Sequence, residues 1–134
     1  EMVLTPTYHL FKMYIPHQGA EYLPLHYESK QLRDKNNRVV NTLSATASRA
    51  EDGTVTITLA NVDLVSDCRI TISLDDDKKY DVSGSILTSK NISDHNTFED
   101  PECIKTVKYD NFKSQKGSIE VVLPTKSIVS LTLK

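Results

Sequence analysis

The chain has no tryptophan, only three phenylalanines and only two cysteines. The first absence excludes a sugar-binding platform of stacked indoles, although one built from the six tyrosines stays open. The two thiols, Cys68 and Cys103, allow one disulfide at most. Cys68 heads a strand-like run and Cys103 sits in a polar loop, so nothing in the spacing pairs them, and both are expected to be unpaired. No stretch approaches the roughly 20 apolar residues that a bilayer span requires. The charged region, apolar core and small-residue cleavage site of a signal peptide are also missing, which leaves the compartment open between cytoplasmic and exported. With 16 Lys and Arg against 18 Asp and Glu, the net charge is −2. No basic field attracts nucleic acid or an anionic membrane, and neither is expected as a partner.

What the chain does have is alternation. In Thr54-Val55-Thr56-Ile57-Thr58-Leu59 every second residue is aliphatic, so Val55, Ile57 and Leu59 share one face of a strand. Arg69-Ile70-Thr71-Ile72-Ser73-Leu74 repeats the pattern, as do Ser118-Ile119-Glu120-Val121-Val122-Leu123 and Val129-Ser130-Leu131-Thr132-Leu133. Weaker strands are read at residues 22–27, 43–48, 82–87 and 106–112. β-Branched side chains dominate these runs because they suit a half-buried pleated surface. Turn signals separate them at Asp52-Gly53, Asp75-Asp76-Asp77, Lys116-Gly117 and Pro124-Thr125-Lys126. Eight short strands in 134 residues predict a single all-β domain, an antiparallel sandwich or barrel.

The amino end breaks the pattern. Leu4, Tyr8, Phe11 and Ile15 recur at helical spacing, Thr5-Pro6 makes a sound helix start, and Pro16 is expected to stop it. A helix of about ten residues does not hold itself together in water, so it must find a packing partner. Either the sheet takes its apolar stripe or part of the stripe stays bare.

One long stretch, residues 89–102, has no periodicity. It gathers Asp94, His95, Glu99, Asp100 and Glu102, but Gly is absent, Pro101 interrupts the run and His95 has no companion at ligand spacing. Turn formation by Asp94 and Asn96, with Phe98 packed onto the domain, is the better reading, and neither metal nor cofactor is expected.

Leu4-Thr5-Pro6-Thr7-Tyr8-His9-Leu10-Phe11-Lys12-Met13-Tyr14 with His17-Gln18 resembles a segment of the α-L-arabinofuranosidases of glycoside hydrolase family 51. The similarity continues through Leu43-Ser44-Ala45-Thr46-Ala47-Ser48-Arg49 and through Leu59-Ala60-Asn61-Val62-Asp63. It then runs through Gly84-Ser85-Ile86-Leu87-Thr88, the signature His95-Asn96-Thr97-Phe98-Glu99-Asp100-Pro101, and Leu123-Pro124-Thr125-Lys126-Ser127. Ile15-Pro16 departs from the family's usual pair, and residues 30–41 match poorly.

The resemblance implies that residues 1–19 are the last helix and exit segment of a (β/α)8 catalytic barrel, and that 20–134 form a jelly-roll-like C-terminal β-sandwich. It further implies a retaining parent enzyme that removes terminal α-L-arabinofuranosyl residues from arabinan and arabinoxylan. Retention needs two carboxylates about 5 Å apart, and barrel enzymes place them at strand ends. No glutamate here matches either motif, so no residue is read as catalytic. The expected role is an accessory domain that packs on its own barrel through Tyr8, Phe11, Tyr14 and Ile15, with His95, Asn96, Thr97, Phe98, Asp100 and Pro101 as the family's signature loop. Two alternatives stay open: a carbohydrate-binding module using Tyr22, Tyr27, Tyr80 and Tyr109, or an adhesion-type sandwich that binds protein by an edge strand. A bare helix face or an uncovered sheet edge would favour self-association.

Overall fold

In a computed structural model, the structure describes residues 12–23, 25, 31–33, 39–63, 66–74, 79–88 and 106–134, with backbone alone at 31–33 and 39–40. The strands are β1 (Glu21–Leu23), β2 (Gln31–Arg33), β3 (Val39–Asn41), β4 (Leu43–Arg49), β5 (Val55–Asn61), β6 (Cys68–Ser73), β7 (Val82–Thr88), β8 (Val107–Tyr109), β9 (Phe112–Gln115), β10 (Ser118–Leu123) and β11 (Ser127–Leu133). Six of them form one antiparallel sheet in the order β1-β4-β5-β11-β7-β8. A second sheet, β6-β10-β9, lies across it, and β2-β3 makes a separate hairpin. The expected all-β sandwich is therefore present.

Register explains how the alternating runs become a core. Ala47, Ile57, Leu131 and Gly84 stand opposite one another across β4, β5, β11 and β7, and Ala45, Leu59, Val129 and Ile86 form the next row. These rows meet Ile119, Val121 and Leu123 of β10 from the second sheet in one hydrophobic cluster. Each of those β10 side chains is at most 2% exposed, and such burial contributes about 1.5–3 kcal/mol per side chain. Cys68, Ile70 and Ile72 of β6 pack against the same cluster less completely. The thiol of Cys68 is free.

Gly84 is required by the close approach of β8 and β9. A Cβ there would lie 2.7 Å from the Tyr109 carbonyl oxygen and 3.0 Å from the Phe112 ring. Gly53 takes φ 89° in the turn between β4 and β5, as the Asp52-Gly53 signal predicts. There the Asp52 carboxylate accepts from the Thr54 N–H at 2.9 Å, which pulls its pKa below the usual carboxylate range.

The strand expected over 106–112 and the course of the amino segment differ from the sequence reading, and further elements are added. The run at 106–112 is two strands, β8 in the large sheet and β9 in the small one. The alternation of Val107 and Tyr109 falls out of phase at Phe112, and the chain turns at Asp110-Asn111, where the Phe112 N–H donates to the Asp110 carbonyl at 2.8 Å. Of the run at 22–27, β1 covers Glu21–Leu23 and Leu25 stands outside a strand, while residues 24, 26 and 27 lie outside the described residues. The pair β2-β3 adds two short strands within residues 30–41, where the family resemblance is poor. Finally, the α-helical residues end before Pro16 as expected, but the chain does not leave its helical course there. Residues 12–14 are α-helical, and the chain tightens into a 3-10 turn at Ile15–His17 with Pro16 in its first positions, where its missing N–H costs nothing. The Gln18 N–H closes that turn on the Ile15 carbonyl at 3.0 Å, and Gly19 leaves it with φ 71°.

Candidate functional site

The large sheet has a second face, and its chemistry is unlike the core's. Because side chains alternate, the residues between the core rows point outward: Ser48, Thr56, Thr132 and Ser83 in one row, and Thr46, Thr58, Ser130 and Ser85 in the next. A third row, Ser44, Ala60, Ile128 and Leu87, turns apolar at its far end. A sequence reader takes such hydroxyls for a wetted face. Ser48, Thr56, Thr58 and Ser130 are instead buried, with Thr58 only 1% exposed.

The helical segment 12–17 lies on this face and accounts for part of that cover. Met13 is buried against Leu87, with Ile128 packed beside them. One turn later His17 is clamped between two strands: Nδ1 lies 2.6 Å from the Ser48 hydroxyl of β4 and Nε2 lies 2.8 Å from the Thr58 hydroxyl of β5. A neutral imidazole has one N–H and one lone pair, so it donates to one hydroxyl and accepts from the other. Burial pushes the His17 pKa below its ordinary value. The Tyr14 ring leans on His17 at 5.6 Å between centroids, and burial raises the Tyr14 pKa. A His–Ser contact invites comparison with a nucleophilic dyad. Ser48 is only 2% exposed and the second imidazole nitrogen faces a threonine instead of a carboxylate, so the arrangement is a fastening.

At the opposite margin a second polar group stays inside. Asn61, 2% exposed, aims Nδ2 at three carbonyls, Ser66 (3.2 Å), Leu123 (3.1 Å) and Pro124 (3.1 Å), so its two N–H bonds are shared among them. Its Oδ1 accepts the Asp63 N–H at 3.0 Å, and Asp63 Oδ1 accepts the Ser66 N–H at 3.1 Å. The Lys126 N–H closes on the Asp63 carbonyl at 3.1 Å. These bonds tie the β5 exit to the β10–β11 turn, where Lys126 adopts φ 53°. The Asn61-Val62-Asp63 stretch is thus a structural knot.

The residues singled out from sequence are scattered. Tyr22, on β1 at one edge of the large sheet, is 70% exposed. Tyr109 belongs to β8 at the other edge, packs against the core and donates its hydroxyl to the Val122 carbonyl of the small sheet. Tyr80 also packs against the core, and its carbonyl accepts from the Ser114 hydroxyl at 3.3 Å. These three rings do not form a row. Of the helix residues, Tyr14 is half-buried and Ile15 is 56% exposed. Tyr8, Phe11, Tyr27, Cys103 and the loop carrying His95, Asn96, Thr97, Phe98, Asp100 and Pro101 lie outside the described residues. Glu21, Glu51 and Glu120 are exposed on separate parts of the domain. Among the described residues no three His, Cys, Asp or Glu side chains gather to hold a metal, and no helix is long and apolar enough to cross a membrane.

Two antiparallel layers with a helical segment fastened to the outside of the larger one define an all-β sandwich domain. The family model of the α-L-arabinofuranosidase C-terminal domain matches residues 1–127, and the chain belongs to that family. Over all 134 residues it is 46% identical to the intracellular exo-α-L-arabinofuranosidase of Bacteroides ovatus, of which it spans 26%. The crystal structure of the GH51 arabinofuranosidase from Xanthomonas axonopodis pv. citri matches 100% of the chain and 27% of that protein, at 35% identity and a TM-score of 0.91. The α-L-arabinofuranosidase of Thermotoga maritima, solved with arabinose, shares the fold at a TM-score of 0.82 and 20% identity, over 97% of this chain and 29% of that one. The chain therefore spans about a quarter of the length of the relatives it matches.

Proposed function

We propose that this domain is the non-catalytic companion of an α-L-arabinofuranosidase, and that it packs on and stabilises a (β/α)8 barrel in the same chain. Residues 1–19 are the barrel's terminal helix and exit, and 20–134 are the sandwich. The parent removes terminal α-L-arabinofuranosyl residues from arabinan and arabinoxylan with retention. The observation that carries this reading is 46% identity, over all 134 residues, to an exo-α-L-arabinofuranosidase of which the chain spans 26%. Chemistry supports the division of labour. A retaining site needs two carboxylates held about 5 Å apart in a cleft that raises the pKa of one of them. Among the described residues, the exposed Glu21, Glu51 and Glu120 stand on separate elements and meet neither condition.

The test is a comparison of the full-length parent with a truncation that ends before residue 20. Arabinose release from arabinan and from an aryl α-L-arabinofuranoside is measured with thermal inactivation. The truncation is expected to keep the catalytic carboxylates yet lose activity much faster on warming. Equal half-lives would remove the stabilising role, and hydrolysis by the 134-residue chain itself would remove the non-catalytic one.

A further inference from the structure

Of the chain's four glycines, Gly53 alone follows an aspartate or an asparagine. Asp52 and Gly53 are both exposed in the turn between β4 and β5, where water reaches them. The Gly53 nitrogen is bonded to the Asp52 main-chain carbonyl carbon, so its attack on the side-chain carboxyl carbon, Cγ, closes a five-membered succinimide. Glycine brings no side chain to obstruct that attack, and exposed turn tips are where backbone yields most readily.

The reaction balances with water as its only co-reactant. The Gly53 nitrogen bonds to Cγ and gives up its proton, and the carboxyl hydroxyl leaves with that proton as water. A water molecule then adds to one of the two imide carbonyls. Opening at Cγ restores aspartate. Opening at the Asp52 main-chain carbonyl carbon breaks its bond to the Gly53 nitrogen and leaves an isoaspartate linkage. The main chain then runs through Cβ and Cγ and is one methylene longer, with no net change in mass.

The folded turn opposes each requirement of the first step. The attacking nitrogen must be free, but the Gly53 N–H donates to the Ala50 carbonyl at 2.9 Å. The carboxyl must swing toward that nitrogen, but Asp52 Oδ1 accepts from the Thr54 N–H at 2.9 Å, one residue beyond it. The carboxyl must also carry a proton, since an ionised carboxylate has no hydroxyl to release. Hydrogen bonds from the Thr54 main chain and side chain hold it below the usual carboxylate range. Around this pair the Ala50 N–H donates to the Thr54 carbonyl at 2.9 Å, and Val55, the next residue, is buried opposite Leu133. Attack therefore requires the turn to open against an anchored strand.

We propose that Asp52-Gly53 is a latent isomerisation site, sealed in the folded hairpin by its turn hydrogen bonds and reached only when the turn opens. The product does not fit the turn that made it. The rings closed from Gly53 to Ala50 and from Ala50 to Thr54 each gain one main-chain atom, directly beside the Arg49–Val55 pair. A passing opening of the hairpin is thereby converted into a lasting chemical mark at its tip.

Peptide mapping of the full-length chain, warmed at neutral pH, tests the proposal. Isoaspartate at position 52 is separated from aspartate by chromatography and identified by electron-transfer fragmentation. The rate is compared with that of a synthetic peptide of residues 47–56 and with that of the same chain in strong urea. The folded chain is expected to react at least about tenfold more slowly than the peptide, because its rate follows the population of the open turn, and the urea-unfolded chain is expected to match the peptide. Thr54→Pro removes the donor to Asp52 and leaves the Asp-Gly pair intact. Its folded chain should react several-fold faster than wild type, each scored against a peptide of its own sequence. Equal rates in the folded wild-type chain and the peptide would overturn the seal, whether or not the variant folds. Absence of isoaspartate from both the peptide and the unfolded chain would overturn the site. A Thr54→Pro chain that is folded by circular dichroism and still as slow as wild type would overturn the part given to the Thr54 bond.

Discussion

Replacing Asn61 with alanine isolates the polar knot that joins β5 to the β10–β11 turn. The side chain is 2% exposed, so water does not readily replace it. Two of its bonds, to the Leu123 carbonyl and from the Asp63 N–H, are themselves buried. The Pro124 carbonyl keeps the Ser127 hydroxyl at 2.6 Å, and the Ser66 bond is only partly buried, so those two acceptors lose less. Each buried group left without this partner costs about 1–3 kcal/mol. The sum is about 3 kcal/mol, a large share of the roughly 5–15 kcal/mol that holds a domain folded. Urea unfolding followed by circular dichroism should show a lower midpoint with an unchanged slope. A thermal scan should fall by roughly 10 °C. Asn61→Asp sharpens the test. It keeps the acceptor for the Asp63 N–H but aims a carboxylate at three carbonyl oxygens, so at neutral pH it should be worse than alanine and should recover as the solution is acidified. A loss below about 1 kcal/mol for Asn61→Ala, or an aspartate tolerated as well as alanine, would refute the reasoning.

Two further outcomes follow from the packing. Gly84→Ala places a methyl 2.7 Å from a backbone oxygen that cannot swing away, so β7 and β8 must part; a destabilisation of about 1–3 kcal/mol is expected in the same urea assay. His17 gives a dependence on pH. Burial lowers its folded-state pKa, so below the ordinary value of 6.5 the unfolded chain binds a proton that the folded one resists. Its contribution is therefore complete above pH 6.5 and is lost as pH falls toward the lower folded value. Amide protection factors across residues 12–20, corrected for the intrinsic rate at each pH, should fall through that window, and His17→Gln should flatten the response.

Much of the sandwich can be read from the sequence, for a physical reason that also sets the limit of the reading. Val55, Ile57 and Leu59 declare their face because burial on one side of a strand imposes period two. That same signal made Thr56, Thr58, Ser48 and Ser130 look wet, since alternation identifies a face and says nothing of what covers it. The helical spacing in the amino segment was legible, whereas the fastening of His17 between β4 and β5 joins residues 31 and 41 positions apart and leaves no local trace. Asp110-Asn111 carries turn chemistry, and the apolar phase shifts from Val107 and Tyr109 to Phe112, so the crossing from one sheet to the other does leave a local trace, though one only two residues long. Asn61 is a polar residue at a strand end and resembles any turn former until three carbonyls are found around it. The exposed tyrosine at position 22 reads the same in sequence as the packed ones at 80 and 109; only the register separates them.

The place of β11 has a consequence for how the domain is made. It is the last strand in order, yet it lies in the middle of the large sheet between β5 and β7. Until Ser127–Leu133 has left the ribosome, β1-β4-β5 and β7-β8 are two separate ribbons, each presenting an open edge to the other and to any neighbouring nascent chain. Such edges are where wrong pairings begin. The correct closure joins Leu133 to Val55, almost eighty positions away, so it is slow by topology. A growing chain of this kind is most vulnerable in the interval before β11 emerges, and the seven residues of that strand act as a zip that turns two sticky halves into one sheet.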